Sequence, residues 1–134
     1  MGGFSAPSWA VHPKYNAYCE VQINGEPEES VNIGAKSFYL FGRDASTCDF
    51  AFDDKTVSRI HAAMVHSKDG SLYVIDLNST HGTTVGNTKI ASHKPTALRN
   101  GVIVKFGSAA KSYKLELEGT AADGTGGGAQ GDAG

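Results

Sequence analysis

Residues 78–86 read Asn-Ser-Thr-His-Gly-Thr-Thr-Val-Gly, shortly after the apolar run Leu72–Asp76. A turn needs only one or two turn formers. Here hydroxyls, an imidazole and two glycines crowd nine positions, the composition of a loop that holds something. Asn78 and Ser79 can bond backbone amides and shape the turn. Thr80 offers a hydroxyl, His81 an imidazole, and Gly82 relieves the turn before Thr83 re-enters a strand.

Two further segments carry chemistry. Phe41-Gly42-Arg43-Asp44 ends an apolar strand, where Gly42 permits an unusual backbone angle or a close approach and Arg43 projects from the strand end. Ser58-Arg59-Ile60-His61-Ala62-Ala63 enters the next apolar strand. Taken alone, Arg43 is a solvated charge and His61 a structural histidine bonded to loop backbone. Gathered at one end of a fold, the three loops make a different object. Arg43 brings a planar fork, and Ser58 and Thr80 bring hydroxyl donors. Such a shallow cup of donors suits a phosphate dianion on a protein side chain.

The elements that must position these loops repeat with period two. Tyr18–Ile23 alternates, and Phe38–Gly42, Ala62–His66, Leu72–Leu77, Val102–Phe106 and Tyr113–Leu117 are short apolar runs. Asn24-Gly25, Asp69-Gly70 and Asn100-Gly101 fall between them and take the positive φ of tight hairpins. No stretch of helical length is amphipathic. The expectation is an all-β fold, a β-sandwich of two antiparallel sheets with binding loops at one end. Residues 1–14 are expected to form an N-terminal extension, 15–118 the domain, and 119–134 a flexible Gly-rich tail that joins a longer protein.

Composition narrows the function. A net charge of −2 leaves no broadly basic footprint for nucleic acid, so anion recognition must come from a few placed groups. No apolar stretch approaches the roughly 20 residues of a membrane span. The first residues lack the basic and apolar regions of a secretory signal. Cys19 and Cys48 form no Cys-x-x-Cys pair and read as buried thiols in a reducing compartment, with a disulfide as the alternative. The five histidines show no paired zinc-ligand spacing, so no metal and no cofactor is expected. Ser58, His61 and Asp76 contain the elements of a nucleophile, base and orienter, but no Gly-x-Ser-x-Gly elbow surrounds Ser58. Neither Gly82–Lys89 nor Gly107–Ser112 has phosphate-loop spacing, and an enzyme is not expected.

Gly42-Arg43, Ser58-Arg59-Ile60-His61 and Asn78-Ser79-Thr80-His81-Gly82-Thr83, in that order, resemble the forkhead-associated (FHA) family, which binds phosphothreonine peptides. The resemblance covers essentially the whole folded unit and implies an FHA-type sandwich. It assigns the phosphate to Arg43, Ser58 and Thr80. It assigns peptide-flank contacts to Arg59, His81 and Ser79, and loop architecture to Gly42, His61, Asn78 and Gly82. His81 and Arg59 stand where the family commonly has Asn, which implies a second cation near the phosphate or an acidic flank.

The wider pattern, including Leu40–Arg43, Cys48–Phe50 and His93–Pro95, is similar to a nuclear branch of the family that regulates protein phosphatase 1. That likeness implies nuclear location, a link to pre-mRNA splicing, and partners phosphorylated at Thr-Pro sites in splicing factors or a mitotic kinase. It implies contact with the phosphatase only through regions outside this chain, because Ile103–Phe106 lacks the basic residue of the docking sequence and reads as a core strand. A monomer is expected, without direct nucleic-acid or membrane contact. The alternative is a β-sandwich that binds partners independently of phosphate.

Overall fold

The computed structural model describes residues 4–118; the expected tail at 119–134 lies outside them. Among the described residues, eleven strands build two sheets. The alternating segment forms β1 (Asn16–Ile23), which turns through Asn24 and Gly25 into β2 (Glu26–Asn32). Both turn residues are left-handed, with φ of 51° and 83°, matching the twist of the strands they join. β2 gave no strand signal because nearly every residue is polar and exposed. It is a sheet edge, where glutamates and Pro27 discourage further pairing.

The chain continues through β3 (Phe38–Gly42), β4 (Phe50–Ala51), β5 (Ala62–His66) and β6 (Leu72–Asp76). Then come β7 (Thr83–Val85), β8 (Thr88–Lys89), β9 (Thr96–Leu98), β10 (Ile103–Phe106) and β11 (Lys111–Glu118). One sheet runs β2-β1-β11-β10-β7-β8 and the other β4-β3-β5-β6-β9. One strand pair departs from the expected antiparallel order, since β3 and β4 run parallel, with Phe41 opposite Phe50. A hairpin is impossible there because residues 43–49 must carry the chain back alongside Leu40 before β4 runs beside the last two residues of β3. Asp49 closes that return: its amide donates to the Leu40 carbonyl at 2.9 Å, and its carboxylate accepts the Leu40 amide at 2.8 Å.

The core between the sheets is aromatic. Phe41 stacks on Phe106 at 4.9 Å and meets Tyr113 edge-on at 5.1 Å. All three are almost fully buried. Cys19 and Cys48 are free thiols, both buried, and burial pushes each thiol's pKa up.

A second apolar cluster lies on the other face of the five-stranded sheet. Leu40, Ala63, Val65 and Ile75 meet Phe4, Trp9 and Ala10 there. Residues 4–14, expected as an extension before the domain, therefore set Phe4, Trp9 and Ala10 against it. Ala10 bridges Ser67, and the Val11 amide donates to the His66 carbonyl at 2.9 Å. This explains why every residue of β5 is buried: both its faces are covered, as its unbroken apolar run requires. His66 anchors the seam. Tyr15 donates its hydroxyl to His66 Nδ1 at 2.6 Å, and His66 Nε2 donates to the Ile33 carbonyl at 2.6 Å. Burial lowers the His66 pKa, so the ring stays neutral.

Phe41 touches aromatic rings from both sheets, so truncation should leave a cavity that collapse cannot fill. Phe41→Ala is expected to cost about 3–5 kcal/mol, read as a lowered urea midpoint with an unchanged slope.

Candidate functional site

The end of β3 and the approach to β5 are laced together residue by residue. His61 donates its amide to the Phe41 carbonyl at 2.8 Å, Arg43 to Ser58 at 3.0 Å, and Asp44 to Arg59 at 3.1 Å. These bonds place Arg43 beside Ser58 although fifteen positions separate them in the chain. Gly42 allows the approach through its missing side chain, not through an unusual φ. A Cβ built there would lie 2.2 Å from the Arg59 carbonyl oxygen, which is backbone and cannot step aside.

The third loop joins through His61. Its ring is fully buried. Nδ1 accepts the Ser58 amide at 2.9 Å, and Nε2 donates to the Gly82 carbonyl at 2.8 Å. The Leu77 amide donates to the His61 carbonyl at 2.9 Å. Burial lowers the pKa of the ring and outweighs the pull of the Gly82 carbonyl and Asp76, which fixes the neutral form with its proton on Nε2. Gly82 itself needs its φ of 87°, and the loop enters with Asn78 at a φ of 63°.

Asp76 organises the inside of this loop. It accepts from Ser79 Oγ at 2.5 Å, the Ser79 amide at 3.1 Å, Thr83 Oγ1 at 2.7 Å and Ser92 Oγ at 2.8 Å. Burial alone would raise its pKa, but these donors prevail and hold the carboxyl below the usual carboxylate range. Ser79, expected at the peptide flank, turns inward: its hydroxyl donates to Asp76 and accepts the Gly82 amide at 3.0 Å. Sequence reasoning met Asp76 only as a possible catalytic orienter. The run of Ser and Thr that follows it was the signal for a buried carboxylate.

What remains at the surface is a groove of about 300 Å³ lined by Arg43, Lys55, Thr56, Val57, Ser58, Arg59, Thr80 and His81. Arg43 Nε donates to the Val57 carbonyl at 2.6 Å, which fixes the plane of the guanidinium and leaves its terminal nitrogens unbonded among the described residues. Ser58 Oγ accepts the Thr80 amide at 3.1 Å, so its own proton is available to an incoming oxygen. The Thr80 side chain and His81 are exposed. Arg59 is also exposed and leans toward Asp44, Nη2 to Oδ2 at 3.4 Å. Donors of Ser46 and Thr47 join Arg59 in holding the Asp44 carboxyl below its usual range.

Lys55 and Thr56 were not singled out by sequence, since no motif marks them. Thr56 supports the wall: its hydroxyl donates to Asp54 at 2.5 Å and accepts the Ser108 amide at 2.8 Å. The arrangement presents cations and hydroxyls to an anion. It does not form a nucleophile–base pair, because both ring nitrogens of His61 are bonded to backbone groups and neither to Ser58 Oγ.

Comparison with known proteins places this geometry among relatives. The family profile described as FHA domain matches residues 39–107. The chain is 38% identical over 113 residues to the human protein named nuclear inhibitor of protein phosphatase 1, covering 84% of this chain and 32% of that protein. It thus spans about a third of the length of that curated relative. The solution structure of the FHA domain of TbPar42 is 27% identical, covers 88% of this chain and 66% of that one, and superposes with a TM-score of 0.72. The yeast Pml1 splicing factor shares the fold, with 16% identity, 87% and 97% coverage and a TM-score of 0.76.

The Asp76 cluster has a pH signature. A carboxyl whose pKa is depressed by folding contributes stability above its unfolded pKa of about 3.9 and loses it as pH falls through the lower folded value. Asp76→Asn is expected to cost about 1–3 kcal/mol at pH 7 and to lose less than wild type below pH ~4. It should keep the separate loss below pH ~6.5 that arises because His61 and His66 are held neutral. Urea titrations at pH 7, 5 and 3 measure both; an unchanged acid limb would remove Asp76 from this role.

Proposed function

From the premise that this chain belongs to the FHA domain family, a family of phosphopeptide-binding modules, we propose that it docks proteins phosphorylated on threonine. The observation that carries this reading is the convergence of Arg43, Ser58 and Thr80 on one groove, with the Arg43 fork fixed at Nε and open at its terminal nitrogens. A phosphate dianion there receives two charge-assisted bonds from Arg43 and one from the Ser58 hydroxyl, with Thr80 positioning phosphate or peptide backbone. Arg59 and His81 stand at the rim as groups that sense flanking residues. Anion recognition then comes from a few placed groups, in keeping with a net charge of only −2.

The choice of threonine over serine rests on one methyl, whose burial contributes about 0.8 kcal/mol, a factor of roughly four. Discrimination beyond that factor requires the serine peptide to seat its phosphate or backbone differently.

The longer protein is proposed to be a nuclear regulatory subunit of protein phosphatase 1, with this domain bringing in phosphorylated splicing factors or a mitotic kinase at Thr-Pro sites. The name of the human relative supports the first part, and the fold shared with a yeast splicing factor is compatible with the second. Phosphatase contact is assigned to regions outside this chain. Ile103–Phe106 cannot serve, because it is β10 and both Val104 and Phe106 are fully buried.

Losing hydrogen bonds to a charged group should cost about 1.5–3 kcal/mol. Arg43→Ala is therefore expected to weaken a phosphothreonine peptide by roughly 10- to 150-fold at an unchanged melting temperature. Isothermal titration beside wild type and an unphosphorylated control reads this. Equal binding of the plain peptide would instead support phosphate-independent docking.

A further inference from the structure

Charge is sorted across the six-stranded sheet. At one edge, β2 exposes Glu26, Glu28 and Glu29; at the other end, β8 and β10 expose Lys89 and Lys105. The two lysines share a row. Lys105 pairs with Thr84, and Thr84 pairs with Lys89. Directly opposed residues point to the same face of a sheet. Because Val104 and Phe106 on either side of Lys105 are fully buried, that face is the outer one.

Lys89 is also held against the site. Its stem covers Gly82: a Cβ placed on Gly82 would lie 2.2 Å from Lys89 Cε and 3.1 Å from Nζ. The ammonium thus stands beside the loop that carries Thr80 and His81. Among the described residues, neither Lys89 nor Lys105 has an ion-pair partner. Two acids near the groove, on loops of the other sheet, are engaged there, Asp44 by Ser46, Thr47 and Arg59, and Asp54 by Thr56. The row continues inward through Ser112 and Gln22. It contains no aromatic side chain, so it offers bases nothing to stack on.

We propose that Lys89 and Lys105 form a docking track for an acidic segment next to the phosphorylated residue, so that the preferred ligand is a phosphothreonine peptide with Asp or Glu on one flank. This rests on the phosphate reading above and adds to it the side of the groove along which the peptide leaves. Strands lie about 4.8 Å apart, which puts the two lysines roughly 9–10 Å from each other across β7. An extended peptide rises about 3.4 Å per residue, so carboxylates two to three positions apart reach both. Exposed pairs of this kind are individually weak and sensitive to salt, which makes the track a selector of partners and not the main source of affinity.

Fluorescence anisotropy with four labelled peptides tests the assignment: phosphothreonine with neutral flanks, the same with Glu-x-Glu on the amino side, the same with Glu-x-Glu on the carboxyl side, and an unphosphorylated neutral peptide. The variant is Lys89→Met with Lys105→Met, which keeps the stem over Gly82 and removes only charge. Wild type should bind one of the two acidic peptides about 3- to 10-fold tighter than the neutral phosphopeptide, the scale of two surface ion pairs, and lose the difference in high salt. The double variant should lose that gain and bind the neutral phosphopeptide as wild type does. A gain that survives in the variant, or no gain in wild type, overturns the track. So does competition by a single-stranded oligonucleotide as strong as that of the acidic peptide. If the neutral phosphopeptide binds no better than its plain form, the phosphate reading has failed, which the same titration shows separately, and the track falls with it.

Discussion

Four hydrogen bonds on one buried residue determine whether the site exists. His61 gives and takes a backbone bond, to Phe41 and from Leu77, while its ring takes one from Ser58 and gives one to Gly82. Three loops that would otherwise drift are fixed relative to one another by a single neutral imidazole. The ring can do this only as one tautomer, since Nδ1 must accept while Nε2 donates. A charged ring would turn Nδ1 into a donor facing an amide proton. Burial, which disfavours charge, is therefore part of how the pocket keeps its shape. Phe106 packs edge-on against the same ring at 5.7 Å, so the aromatic core and the rim share a wall.

Around this hub, polar groups divide between those that build and those that meet a ligand. Asp76, Ser79, Thr83 and Ser92 satisfy one another, and so do Asp54, Thr56 and the Ser108 amide. Arg43, the Ser58 proton, Thr80, Lys55 and His81 face outward with capacity left over. A buried carboxylate with four donors stiffens the loop from below, so that little ordering remains when an anion arrives.

Much of this was legible in the chain. Period-two alternation and three Gly-containing turns marked the sandwich, and the hydroxyl-rich loops marked an anion site. Other parts escaped for physical reasons. β2 has no apolar alternation because nothing covers its outer surface at the sheet edge. The parallel β3–β4 contact involves two residues and leaves no pattern. Phe4 and Trp9 were expected in an extension outside the domain because they contact residues about thirty to seventy positions away, and local reading cannot see that. Ser79 and Thr80 are adjacent and chemically alike, yet one faces Asp76 and the other the solvent, in a loop entered with Asn78 at a φ of 63°.

The packing of the first residues bears on where this unit can be cut. The family profile spans 39–107, which omits β1, β2 and β11, half the strands of one sheet, as well as the segment that roofs the other. A fragment starting at Tyr15 would keep the binding rim and strip Phe4, Trp9 and Ala10 from Leu40, Val65 and Ile75. That leaves a bare greasy patch on the back of the sheet, and such patches find each other. The minimal recombinant piece of this protein is accordingly longer than the minimal recognition motif, and an overly short clone would clump before it ever met a phosphate.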